Sequence, residues 1–247
     1  LNLERVMTPK LAQLLRDNAT RPRNYAVKAN DDESTIYVYD VIGFDFWTGG
    51  GITAAKFVED LNAIKSDKIS VRFNSPGGDV FEARTMVSAM RAARAKGKTI
   101  TAYVDGLAAS AASFMAVNAD ELHIADGGFL MVHNAWTLAM GDRNDMLNMA
   151  SLLEKIDGTI ADDYERKSGA KREDVTGWMD AETWFTASEA KSAGLADSVI
   201  EAPKVKAQAW NLGAYQHAPE AKDEGDQYET ARAQRERHFS LLALSPQ

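Results

Sequence analysis

The sequence predicts an α/β domain with a mostly parallel sheet, because short β-rich runs alternate with segments of helical period. Thr35-Ile36-Tyr37-Val38-Tyr39, Ile69-Ser70-Val71-Arg72-Phe73 and Thr99 to Val104 are the clearest runs. Each is followed by a stretch whose apolar residues recur at three or four positions. Glycine-rich joins, Gly49-Gly50-Gly51 and Asn74-Ser75-Pro76-Gly77-Gly78, separate them.

Taken in order, residues 1 to about 20 fit a short helix around Leu11, Leu14 and Leu15. Residues 21–34 are polar and read as a linker. After the first run, Ile52 to Ile64 carries Ala55, Phe57, Val58, Leu61 and Ile64 on one stripe. Asp79 is placed to cap a helix that Gly97 stops. A small-residue helix is expected over Ala108 to Asn118, then short strands near Leu122 to Ile124 and Leu130 to His133. Met146, Met149, Leu153, Ile156, Ile160 and Tyr164 predict a long amphipathic helix. Thr186-Ala187-Ser188-Glu189 has capping-box spacing and opens a helix closed by Gly194, before a last strand over Leu195 to Ile200. The chain thus divides into an N-terminal extension and linker (1–34), a folded domain (35–202) and a polar tail (203–247), with one helix expected before Leu241 to Leu244.

Composition narrows the function. A net charge of −8 argues against nucleic-acid binding, which needs clustered Lys and Arg to neutralise phosphate. With no cysteine there is no disulfide framework, thiolate metal site or thiol nucleophile, which fits a reducing, cytoplasmic setting. The stretch from Val104 to Val117 is interrupted by Asp105 and is too short to span a bilayer, so no membrane partner is expected. Glu4, Arg5, Lys10 and Arg16 near the start argue against a signal peptide.

Histidine is scarce: His123, His133, His217 and His238. The last two fall in the polar tail, a poor place for a preorganised site. His133 ends an apolar run, Phe129-Leu130-Met131-Val132, where it can project from a rigid scaffold. The plain alternative is a hydrogen-bonded structural histidine. Ser110 lies among small residues, Gly106-Leu107-Ala108-Ala109-Ser110-Ala111-Ala112-Ser113, which allow a sharp turn. At a helix start it would gain from the helix dipole, and the Ala111 N–H would lack a helical partner. The plain alternative is a tightly packed small-residue helix. Gly77-Gly78 offers a second backbone able to aim an N–H at an oxyanion, and no Gly-Lys-Ser/Thr follows to make it a phosphate loop.

Together these segments resemble the ClpP family of serine proteases. The resemblance rests on Phe73-Asn74-Ser75-Pro76-Gly77-Gly78-Asp79-Val80, Gly106 to Ser110, Met131-Val132-His133, and Phe185-Thr186-Ala187-Ser188-Glu189-Ala190 with Gly194-Leu195-Ala196-Asp197, in that order over about residues 35 to 202. Trp47-Thr48-Gly49-Gly50-Gly51 and Thr183-Trp184-Phe185-Thr186-Ala187 look closest to phage and prophage members, including head-maturation proteases. The resemblance implies a ClpP/crotonase fold of repeated β-β-α units with a long handle-like helix. It implies Ser110 as nucleophile, His133 as base, and Gly78 and Ala111 as oxyanion donors. For the third member, where the family has Asp, gapless counting gives Glu182, with Asp180 as competitor. It further implies a polypeptide substrate, a homo-oligomeric ring, no metal or organic cofactor, and as partners phage capsid or scaffold proteins or an ATP-driven unfoldase. A crotonase-type acyl-CoA enzyme and an inactive structural subunit of a phage head are the alternatives.

Overall fold

The β-rich runs pair side by side into one eight-stranded sheet among the described residues. The structure is a computed structural model describing residues 18, 24–44, 50–137, 139–202, 210–213 and 215–219. Strands β1 (Asn24–Lys28), β2 (Glu33–Tyr39), β3 (Lys68–Ser75), β4 (Thr99–Ala109), β5 (Glu121–Ala125) and β8 (Ser198–Ile200) follow the order β1-β2-β3-β4-β5-β8. From β2 to β8 along that path every pairing is parallel, and β1 joins β2 antiparallel. Parallel neighbours need crossovers, and helices supply them: α1 (Ala54–Ala63), α2 (Val80–Ala95) and α3 (Ala111–Ala116).

Strand β4 has two consecutive partners. Its first half, Thr101 to Val104, pairs with β5, and its last residues, Leu107 to Ala109, pair with β6 (Phe129–Val132). Strand β6 in turn pairs antiparallel with β7 (Thr183–Thr186). The main core lies between sheet and helices, around Phe57, Phe73, Met86, Met90, Ile100, Phe114 and Tyr164.

The long helix is α4 (Arg143–Ser168), opened by a capping box between Asp142 and Asp145 and closed by Gly169 in the left-handed conformation. The expected apolar stripe divides in two. Ile160 and Tyr164 are buried, Met149, Leu153 and Ile156 are half-buried and Met146 is exposed, while Leu147 and Leu152, off that stripe, are 51% and 44% exposed. The buried end is fastened by Asp163, whose carboxylate is bonded by Arg84, Arg91 and Arg166. Helices α5 (Arg172–Asp180) and α6 (Ala187–Ser192) complete the set.

Three expectations need correction. The stretch read as a linker contains β1, whose Tyr25 and Val27 pack on the core in alternation, a period hidden by the polar residues around it. Ala108 and Ala109 belong to β4, not to a helix, because their backbone pairs with β6. Helix α5 and strand β7 were not anticipated, since each is short and amphipathic only against its neighbours. The helices expected around Leu11–Leu15 and before Leu241, and Trp47, lie outside the described residues.

Candidate active site

Strand register assembles the site. Ala109, the last residue of β4, pairs with Met131, and the Ser110 N–H donates to Met131 O at 3.0 Å. Val132, the last of β6, pairs with Thr183, the first of β7. Ser110 and His133 therefore leave neighbouring strands side by side, and Glu182 stands opposite His133.

Ser110 caps α3 with φ 54 and ψ −122, a conformation that L residues rarely adopt. Such a turn projects Oγ away from the helix. His133 Nε2 meets that Oγ at 2.8 Å. The turn is held from behind: Ser113 Oγ donates to Ser110 O at 2.7 Å, and Tyr164 OH lies 2.6 Å from Ser113 Oγ. Because the Ser113 proton is committed to Ser110, the Tyr164 phenol is the donor to Ser113. Burial pushes the Tyr164 phenol far above its ordinary value, so it keeps that proton.

Two backbone N–H groups, those of Ala111 and Gly78, take no acceptor from the helix or bridge beside them. Ala111 is the first residue of α3, whose N–H has no intrahelical acceptor. Gly78 bridges to Ile42, but that bridge uses Gly77 O and Asp79 N and leaves the Gly78 N–H out. The glycines are required here. A Cβ on Gly77 would meet Ala109 O at 2.7 Å and Ser110 Cβ at 2.8 Å, and one on Gly78 would meet Ile42 O at 1.9 Å.

Burial pushes the His133 imidazole below its ordinary value, and the Glu182 charge pulls in the opposite direction. The two groups thus feel each other, yet among the described residues no hydrogen bond joins them. Glu182, with φ 47, spends Oε1 on Trp184 Nε1 at 3.2 Å and on the His217 N–H at 2.8 Å. Asp180 turns elsewhere and accepts from Asn134 Nδ2 at 2.7 Å. His123 is remote from the site and shares 2.7 Å with Ser198 Oγ.

The region read as a polar tail reaches the site. Trp210 is buried against Leu107, Ala109 and Met131, with Leu212 and Tyr215 beside it. The Tyr215 ring sits edge-on to His133 at 5.6 Å and to Trp184 at 5.6 Å. The signal was present in the sequence, in three bulky residues, Trp210, Leu212 and Tyr215, clustered within a polar stretch.

A model of the Clp protease family matches residues 52–203. The chain belongs to the Clp protease family. It is 30% identical over 142 residues to an ATP-dependent Clp protease proteolytic subunit of Chlorella vulgaris, across 56% of this chain and 69% of that one. The peptidase assignment and the α/β fold expected of a Clp protease thus stand together. The matched span of the Clp family contains Gly78, Ser110, Ala111, His133 and Glu182, while Trp210 and Tyr215 lie beyond it. Among the described residues no helix is long and apolar enough to cross a membrane.

Proposed function

We propose that this Clp-family chain is a serine endopeptidase in which Ser110 attacks the peptide carbonyl and His133 takes its proton. The observation that carries this reading is the 2.8 Å contact between Ser110 Oγ and His133 Nε2 at a backbone turn of positive φ. A neutral His133 accepts the hydroxyl proton as Oγ bonds to the carbonyl carbon. The carbonyl oxygen, now negative, is met by the Gly78 and Ala111 N–H groups. His133 then returns the proton to the leaving amine, and water, activated in the same way, releases the acyl group from Ser110. Glu182 holds the charge that steadies the imidazolium, and Asp180 does not take part.

The finer reading is a phage or prophage protease acting on capsid or scaffold proteins as a homo-oligomeric ring. What supports it is the Thr183-Trp184-Phe185-Thr186-Ala187 run and the exposed apolar end of α4. An ATP-driven unfoldase is a further candidate partner, supported by the name of the Chlorella relative. The chemistry is tested by treating the protein with a fluorophosphonate and measuring intact mass and the labelled peptide. One adduct on Ser110, lost in Ser110→Ala, is the expected result. An unlabelled Ser110 in protein that cleaves casein would overturn it.

A further inference from the structure

The stretch carrying Trp210, Tyr215 and His217 contacts His133, Glu182 and the loop that carries Gly77 and Gly78. Tyr215 is partly buried, its ring edge-on to His133 and to Trp184 at 5.6 Å each. Its phenol donates to Pro76 O, on the loop that carries Gly77 and Gly78. The His217 N–H holds Glu182 Oε1 at 2.8 Å, an oxygen that a triad carboxylate would turn toward His133. The stretch is also built in. Trp210 Nε1 donates to Asn74 O at 3.0 Å from a buried position. Asn18 and Asn211 exchange two hydrogen bonds, Asn18 Nδ2 to Asn211 O and Asn211 N to Asn18 Oδ1, both 2.9 Å. An aromatic side chain lodged against the base, itself 2.8 Å from Ser110 Oγ, occupies space that a bound polypeptide needs.

We infer that this C-terminal stretch is a tethered occupant of the substrate cleft, holding the protease closed until substrate or a partner displaces it. Trp210 and the Asn18–Asn211 exchange anchor it, and Tyr215 and His217 do the blocking. The inference rests on the serine-peptidase reading. Only the fraction of molecules with the stretch displaced can bind substrate, so apparent affinity falls by that fraction.

The test compares the full chain with two full-length variants, Tyr215→Ala and His217→Pro. The first empties the space beside His133. The second removes the N–H that holds Glu182 and leaves the buried Trp210 anchor alone. The readouts are the rate of Ser110 acylation by a fluorophosphonate and kcat/KM on a fluorogenic peptide, with circular dichroism to check the fold. If the cleft is closed about nine-tenths of the time, Tyr215→Ala should raise both by about tenfold, with a smaller gain for His217→Pro. A synthetic peptide of the sequence 210–217 should slow Tyr215→Ala again, in competition with substrate. Folded variants that react at the wild-type rate or slower would overturn the tethered occupant. Absence of any Ser110 labelling in wild type and variants alike would instead overturn the serine-peptidase reading beneath it.

Discussion

Glu182 faces His133 across the β6–β7 pair, one step past Val132 and Thr183, yet its carboxylate is bonded to Trp184 and His217. The register delivers the acid and a neighbour detains it. This separates two candidates that lie only two residues apart in the chain. Glu182 is electrostatically coupled to the imidazole, and Asp180 is bonded to Asn134. Glu182→Gln should therefore lower turnover of a peptide substrate at least tenfold, and Asp180→Asn should leave it within about twofold, by the usual cost of losing a charge that steadies an imidazolium. The reverse ranking in steady-state kinetics would move the role to Asp180.

Ser110 is the proposed nucleophile and also carries a positive φ, so its substitutions should split chemistry from strain. Ser110→Ala should lose about a million-fold in turnover, as removal of a triad nucleophile does. Ser110→Gly should be equally inactive but more stable, because glycine accepts positive φ without the roughly 1–3 kcal/mol such a residue stores. Calorimetry checks this: the glycine variant should melt a few degrees above the alanine one, and equal melting would show the turn unstrained.

The pH dependence follows from the direction of the His133 shift. Burial lowers its pKa, and only the neutral imidazole can accept the Ser110 proton. Activity should thus rise with pH along a limb centred below about 6.5, the ordinary histidine value. Glu182→Gln removes the charge that opposes the shift, so the limb should move further toward acid. The same shift makes the fold lose stability as pH falls from about 6.5 through the lower folded value, where the unfolded imidazole binds a proton and the folded one does not. Rate–pH profiles of both proteins check it, and a limb above 7 would contradict it.

Gly78 is close to irreplaceable. A Cβ there would lie 1.9 Å from Ile42 O, so the loop must shift and carry its N–H away. Gly78→Ala should cost on the order of a hundredfold or more in kcat, the usual loss for one oxyanion donor. Full kcat in the purified variant would remove Gly78 from the site.

Helix α4 is the place to test assembly. Its Leu147 and Leu152 are exposed while the far end is buried, and an isolated chain would leave that surface in water. If the proposed homo-oligomer forms through this surface, replacing both with Asp should dissociate it without unfolding the core, as read by analytical ultracentrifugation beside circular dichroism. A wild type that sediments as a monomer at micromolar concentration would rule the interface out.

The alternation of β-rich and helix-period segments was enough to read the parallel sheet, because each buried strand and helix carries its own periodicity. Ser110 and His133 each keep a plain structural alternative when read alone, and only the ordered resemblance to the ClpP family pairs them; the structure sets their side chains 2.8 Å apart. What escaped depends on tertiary pairing. β1 is polar around a short alternation and acquires its identity only against β2. Trp210 and Tyr215 sit in a stretch whose average polarity masks three anchoring side chains. The Glu182 environment was out of reach for the same reason, since His217 lies 35 residues further along the chain.

Strand β4 changes partners along its length, and that arrangement ties chemistry to correctness of folding. A slip of β6 by one residue against β4 would turn its side chains to the opposite face of the sheet. His133 would then point away from Ser110. A protease is a hazard to its neighbours during its own synthesis. On the proposed mechanism the Ser110–His133 pair exists only in the correct β4–β6 register, so a chain trapped in a wrong register is inert rather than unregulated.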